Sequence, residues 1–492
     1  MDNLYSTMIV MPELLLSISG FLLLIIGLLD RTNVMRVVTM LTIGAFIVSA
    51  VVLFVPQRLA PFLGGQFPVP AFGHMFIDDA IARFVKLLLL VAAGLSLLLS
   101  GRYLEHEKIA RPEYPVLILF ATLGMMLMVS ASDLLALYVG LELQSLALYV
   151  LAAFRRDHVR SSEAGLKYFV LGALSSGIIL YGVSLIYGTV GATDFNTIGL
   201  TLGHLSGDKI GAIIGLIFVV AAMAFKVSAV PFHMWTPDVY EGAPTSVTAF
   251  FASAPKIASL IALTRLLYLP FGSLSHQWSF IIVVLAVASM LLGSFAGLAQ
   301  SSMKRLLAYS SIANVGFALA GLATVGPDGV QAMLIYLAIY FINTLGVFGV
   351  LMLLRRKGVE AEKMTDLAGL GKSSPFLALV MMLLMFSLAG VPPLAGFFGK
   401  YLIFIAVVKA GMVPLAVVGV LSSVVSAFYY LRVIKIMYFD ENTDALDVPS
   451  IDNLAMTGLV AIVVLVVGFT FWPSPIIDAA HRAIAGSLFI HG

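Results

Sequence analysis

Residues 375–409 read PFLALVMMLLMFSLAGVPPLAGFFGKYLIFIAVVK. As one α-helix this run would be roughly 50 Å long, against about 30 Å of hydrocarbon in a bilayer. It is apolar apart from Lys400 and the terminal Lys409, so it belongs in lipid. Its interruption is Gly390-Val391-Pro392-Pro393. A proline within a helix donates no N–H and frees a carbonyl about four residues back. In a membrane that carbonyl must be met by protein or water. The stretch predicts a discontinuous transmembrane helix, the feature that marks transport sites, with a lysine seven residues after Pro393.

The rest of the chain agrees. Of 492 residues, 61% are hydrophobic and 11% charged, with a mean hydropathy of +1.05. That composition defines an all-α polytopic membrane protein and excludes a soluble domain. Unbroken apolar runs, without alternation, exclude a β-barrel. A net charge of +2 gives nucleic acid no purchase. With no cysteine, thiolate-bound iron–sulfur clusters, cysteine zinc sites and disulfides are excluded. There is no Walker A motif, no GxGxxG before a helix and no loop long enough to hold a nucleotide. The scattered histidines do not suit a haem ligand pair. The chain is expected to hold no metal, no cofactor and no redox centre. The N-terminus carries Asp2 and Glu13 and no basic region, which predicts a retained first helix, not a cleaved signal peptide.

About fourteen spans are expected: 8–29, 34–55, 78–100, 115–131, 134–153, 162–189, 210–239, 243–268, 278–299, 304–324, 329–354, 375–409, 413–438 and 453–472. With the N-terminus outside, the inner loops carry Arg31, Arg36, Arg102, Lys108, Arg111, Arg155, Arg156, Arg160, Lys304, Arg305, Arg355, Arg356, Lys357, Lys363, Lys372, Arg432 and Lys435. The outer segments carry only Arg58, Lys209, Lys409 and Arg482. This positive-inside bias predicts both termini on the periplasmic side. Span 7 is also overlong and contains Val230-Pro231. Spans 7 and 12 lie five apart and so run in opposite directions. They predict two inverted five-helix repeats, spans 4–8 and 9–13, with Val230-Pro231 matching Val391-Pro392. The domains follow: 1–110 with spans 1–3, 111–270 with the first repeat, 271–440 with the second, and 441–492 with the last span.

Five ionisable residues lie inside apolar runs: Glu142, Lys167, Lys226, Lys256 and Lys400. A charge at bilayer depth costs on the order of 3 kcal/mol on insertion scales and marks an ion or proton route by default. Glu142 shares a helical face with Ser145 and Tyr149; the plain alternative is a structural ion pair. Lys226 precedes Pro231 by five residues, with His233 beyond; the alternative is a lysine that only caps freed carbonyls. Pro255 should kink the helix beside Lys256 and admit water. Snorkelling is the alternative for Lys256 and Lys400. Lys167 follows Glu163 at i+4, the order of a simple surface salt bridge. Asp79 and Arg83, also at i,i+4, read as structural, Arg265 as snorkelling and Asp133 as a helix cap. Asp238 and Glu241 read as functional or as a docking surface. Aromatic residues read as packing and interfacial belts.

The stretch FKVSAVPFHMWTPDVYEGAPTS at residues 225–246 resembles the proton-conducting membrane subunits of complex I, relatives of the Mrp-type cation/proton antiporters. So do LELQSLALYVL, RSSEAGLKYFVLGALSSGIILYG, MKRLLAYSSIANVGF and LAGVPPLAGFFGK, which extend the likeness over roughly residues 75–440. Within that family the chain is most similar to the N type, homologous to mitochondrial and chloroplast subunit 2, since M-type subunits carry glutamate where Lys400 stands. The resemblance implies that Glu142 pairs with Lys226, that Lys256 is the central connecting lysine and Lys400 the terminal one, and that Glu163 and Lys167 belong to the family's helix-6 segment. It implies a subunit of a proton-pumping NADH–quinone translocase in a bacterial inner membrane, with K and M subunits as neighbours. Flavin, iron–sulfur clusters, the NADH site and the main quinone site would lie in other subunits. A cation/proton antiporter subunit of an Mrp-like complex and a non-conducting spacer are the alternative functions. Cation coordination would favour carboxylates and carbonyls over lysines.

Overall fold

A computed structural model describes residues 2–28, 34–55, 69–204, 209–356, 358–441, 446–447, 453–485 and 487. Arg31, Arg58 and Lys357, which contribute to the loop-charge bias, lie outside the described residues.

Every expected span falls on helix. Eleven segments among the described residues are long and apolar enough to cross a membrane, and Met11–Gly27, Glu113–Val129 and Pro375–Ala389 are shorter apolar helices. The outermost segment by exposure is Val34–Val52, whose apolar window is only 22% buried. The innermost are Thr245–Tyr268 and Pro327–Leu353, wholly surrounded by other helices, with Met303–Ala323 nearly so. Close helix crossings rely on glycine. A Cβ on Gly124 would stand 2.4 Å from the Gln144 nitrogen, so Glu113–Val129 and Leu134–Ala152 meet backbone to backbone.

The loops fall into two sets. In one, Phe76 bridges Ala131, Asp133 bridges Asp194, Lys409 pairs with Asp328, and the Ser487 hydroxyl accepts from the Ile81 N–H. Ile9 and Val10 pack there against Ala71 and Phe76, beside the antiparallel pair Val69–Ala71 and Phe76–Asp78. In the other set, Glu107 holds Arg155 and Arg355, Arg160 holds Glu362 and Ser302 bridges Lys363. Arg355–Arg356 pairs there with both Val359–Glu360 and Leu446–Asp447. This is the division that alternating crossings require, with both ends of the described chain in the first set.

Among the described residues three spans are broken, not two. Span 7 divides into Ile210–Val227 and Trp235–Gly242, and span 12 into Pro375–Ala389 and Ala395–Lys409. Span 8, expected as one kinked helix, divides into Thr245–Phe251 and Ala254–Tyr268. Pro255 stands in the first turn of the second piece, where its missing N–H costs no helix bond. The breaks in spans 7 and 12 share their geometry. Ser228 and Gly390 end the first pieces in left-handed conformation, and the N–H groups of Ala229 and Val391 each return to a carbonyl five residues back. Aligned on these turns, Pro231 corresponds to Pro393. The expected match of Val230-Pro231 with Val391-Pro392 is therefore displaced by one residue. Val230-Pro231 and Pro392-Pro393 are cis peptides.

Two surface expectations are corrected. Arg265 does not snorkel; it is 1% exposed and ion-paired with Asp79. Asp79 and Arg83 are structural, as expected, but in separate ion pairs, Arg83 with Asp78. The reason is that Asp79 caps the Ala80–His106 helix, accepting from the Ala82 N–H at 2.8 Å, and so turns its other bonding capacity toward Arg265. Lys304, expected as a loop charge, is only 5% exposed.

Candidate functional site

Asp133 caps the helix that carries Glu142, as expected, accepting from the N–H groups of Leu135 at 2.7 Å and Ala136 at 3.1 Å. Glu142 accepts a hydrogen bond from the Ser176 hydroxyl. Lys226 is the next-to-last residue of Ile210–Val227 and is buried. Its ammonium donates to Ser145 Oγ at 2.8 Å and Tyr149 Oη at 3.3 Å. Ser145 and Tyr149 are the two residues expected on the Glu142 face. Among the described residues, however, Glu142 and Lys226 form no direct ion pair. The Val159–Val190 helix packs against both of their helices, and each charge is met by its own hydroxyls, Glu142 by Ser176 and Lys226 by Ser145 and Tyr149.

Lys256 occupies the first turn after the span 8 break and is 1% exposed. It donates to the Ser311 hydroxyl and stands 5.4 Å from the Tyr240 ring centroid. Ser311 also accepts from Tyr340 at 2.7 Å. One turn on, Asn314 accepts from Tyr336 and donates to the Tyr430 hydroxyl at 3.4 Å, which lies 2.5 Å from Ser310 Oγ. Lys400, in the second turn beyond its own break, donates to the carbonyls of Leu388 at 2.9 Å and Ala389 at 3.2 Å and to Ser423 Oγ at 3.0 Å. Its ammonium is 5.1 Å from the Phe317 ring centroid. The role of capping freed carbonyls, weighed for Lys226, thus falls to Lys400.

Polar side chains fill both proline breaks. The Val230 N–H donates to Ser289 Oγ at 2.9 Å, the Trp235 indole to the Phe225 carbonyl at 2.9 Å and the Gly396 N–H to Ser387 Oγ at 3.1 Å. Breaks with such partners are tolerated at bilayer depth.

The structure does not bring Lys167, Glu163 and His233 onto this line. Lys167 lies 2.8 Å from both Glu163 and Asp238, and Arg305 lies 3.0 Å from both Asp238 and Glu241. Glu163, Lys167, Asp238 and Glu241 border a cavity of about 320 Å³ at the span 6–span 7 end, lined also by Arg160. His233 lies between the two pieces of span 7, and its Nδ1 is buried without a hydrogen bond.

Sequence reasoning missed the hydroxyl partners. Ser310, Ser311, Asn314, Tyr336, Tyr340 and Tyr430 drew no attention beyond the reading of aromatics as packing; their signal is polar groups repeating at one-turn spacing within apolar spans. It also missed a buried pair between the helices of spans 1 and 3, Lys86 with Glu13 at 2.6 Å, legible only once those spans are known to lie together.

Residues 131–426 match the family described as NADH:quinone oxidoreductase/Mrp antiporter, TM. NADH-quinone oxidoreductase subunit N of Rhodospirillum rubrum is 50% identical over 97% of this chain and 97% of its own. A chain of respiratory complex I from Thermus thermophilus with bound aureothin superposes with a TM-score of 0.80, at 32% identity, over 96% of this chain and 99% of that one. A chain of the Mrp complex from Dietzia sp. DQ12-45-1b shares the fold, with a TM-score of 0.83 at 22% identity over 99% and 98% of the two chains. The broken helices and buried lysines thus sit in a polytopic membrane subunit of antiporter-like fold. The chain belongs to the subunit N family of NADH-quinone oxidoreductase, the antiporter-like subunits of that enzyme's membrane arm.

Proposed function

We propose that this chain moves protons through the membrane along Lys226, Lys256 and Lys400, with Glu142 as the switch that sets the charge of Lys226. One observation carries the reading. Each of the three lysines is buried beside a broken helix, and its partners are hydroxyls and carbonyls, with no carboxylate at ion-pair distance among the described residues. Such an ammonium can lose its proton without stranding a buried carboxylate. The hydroxyls of Ser311, Tyr340, Tyr336 and Tyr430 both donate and accept, so they supply the steps between Lys256 and the span 12 break.

Quinone chemistry elsewhere in the complex would shift the separation of Glu142 from Lys226. Opening it drives the Lys226 proton inward toward Lys256; closing it reloads Lys226. Glu163 and Lys167 support this from the charged end of span 6, and His233 from the span 7 break. In this reading the chain crosses a bacterial inner membrane fourteen times with both termini periplasmic. It contacts K and M subunits and leaves NADH, flavin, iron–sulfur clusters and the main quinone site to other subunits. The test is Glu142→Gln in the whole complex, which should assemble and lose both proton uptake into vesicles and coupled NADH–quinone turnover. Full activity of both would overturn the switch.

A further inference from the structure

A largely buried carboxylate outside the relay joins three spans. Glu360 sits on the short Val359–Glu360 strand between spans 11 and 12, in the loop set rich in arginine and lysine. Its side chain is only 10% exposed, although Val359 beside it is 68% exposed. One carboxylate oxygen accepts from the Thr245 hydroxyl, and the other from the Tyr103 hydroxyl at 3.0 Å. The Lys304 ammonium stands 4.0 Å away, held by the carbonyls of Glu241 at 3.3 Å and Ala243 at 3.0 Å. Thr245 opens the first piece of span 8, the broken span whose second piece carries Lys256. Further in, the hydroxyls of Ser246, Tyr114 and Tyr240 are buried and make no hydrogen bond in the structure. Tyr240 is the ring that lies over Lys256. Buried hydroxyls with free bonding capacity are the groups that hold a chain of water.

We propose that Glu360 is a proton acceptor that loads Lys256 from the arginine- and lysine-rich face, by way of Thr245, Tyr103 and the buried hydroxyls of Ser246, Tyr114 and Tyr240. The inference rests on the lysine relay and adds the group that feeds it. The step balances without any redox partner. Glu360 takes a proton from water at that face, forming its carboxyl O–H. That bond breaks as the proton passes to hydroxyl-held water. A proton at the far end joins the neutral Lys256 amine, and the carboxylate is restored. Lys304 holds the carboxylate charged between transfers.

The alternative is a staple that ties spans 3, 8 and 10 through one acceptor. Glu360→Gln separates the two, because glutamine keeps a partner for both hydroxyls, its carbonyl accepting from one and its amide N–H donating to the other, but takes up no proton. In the assembled complex, Glu360→Gln should slow proton uptake and coupled NADH–quinone turnover by at least about tenfold, a bound set well inside the roughly 100-fold or more that a positioned proton-transfer group contributes. Glu360→Asp should retain most of both. Normal pumping by assembled Glu360→Gln overturns the proposal. If that variant does not assemble, Tyr103→Phe decides: it should assemble and pump several-fold more slowly, and full pumping would overturn the proposal equally. Lys256→Ala, measured alongside, separates the layers. Normal pumping there sinks the relay itself, whereas impaired Lys256→Ala with normal Glu360→Gln sinks only this inference.

Discussion

Gly124→Ala should uncouple the complex without touching a single charged residue. The added Cβ would stand 2.4 Å from the Gln144 nitrogen and 2.8 Å from the Gly140 oxygen, where ordinary contacts begin at 3.4 Å. Both are backbone atoms in helix, so no rotamer can relieve the clash, and the Leu134–Ala152 helix must retreat by about 1 Å. Glu142 and Ser145 lie beside Gln144 on that helix, so their contacts with Ser176 and Lys226 shift together. A misplacement of about 1 Å can cost roughly 100-fold in a positioned reaction, while overpacking of this kind costs about 1–3 kcal/mol in stability. The assay is proton uptake in vesicles and NADH–quinone turnover, both normalised to assembled complex. Gly177→Ala is the control, since its Cβ would meet nothing within 4 Å and alanine is the better helix former. Equal activity of the two variants would refute the claim that the close helix crossing sets the Glu142–Lys226 geometry.

Asp79→Asn keeps the cap on Ala80–His106 but leaves the Arg265 guanidinium buried without its countercharge, so the complex should lose on the order of 3–5 kcal/mol, read as a lower thermal midpoint; an unchanged midpoint contradicts the pairing. Lys226→Arg keeps the charge on a group that does not deprotonate, and turnover should fall while assembly stays normal. Lys372→Ala should leave assembly and pumping unchanged, because Lys372 and Glu441 form an exposed pair. The hydrogen bond from Lys372 holds the Glu441 carboxyl below its usual value, so the pair contributes above that usual value and is lost as pH falls through the lowered one; a pumping defect at neutral pH would mean the loop does more.

The helical architecture was legible because hydrocarbon thickness forces long apolar runs and proline breaks them at fixed cost. Lys226, Lys256 and Lys400 were legible for the same reason: charge inside such runs is expensive. The break in span 8 was not, because Phe250 to Ser253 carry no residue that ends a helix by itself, and Pro255 reads equally as a kink or a first-turn residue. Nor was the burial of Arg265 and Lys304. Both lie near helix ends, where a long side chain reaches either water or a partner, and only the tertiary packing decides that Asp79 and the Glu241–Ala243 backbone are closer. Tyr336, Tyr340 and Tyr430 looked like packing because a tyrosine's ring and its hydroxyl give the same letter. Which of them matters depends on Asn314, Ser310 and Ser311 facing them from other helices.

The central claim is that a buried lysine beside a broken helix carries the pumped proton. The most direct measurement is the number of protons taken up per NADH oxidised by vesicles bearing assembled Lys226→Ala complex. The account predicts a complex that assembles at normal abundance with strongly reduced proton uptake and reduced coupled quinone reduction. Normal stoichiometry in that variant would contradict it and leave this chain a spacer in the membrane arm.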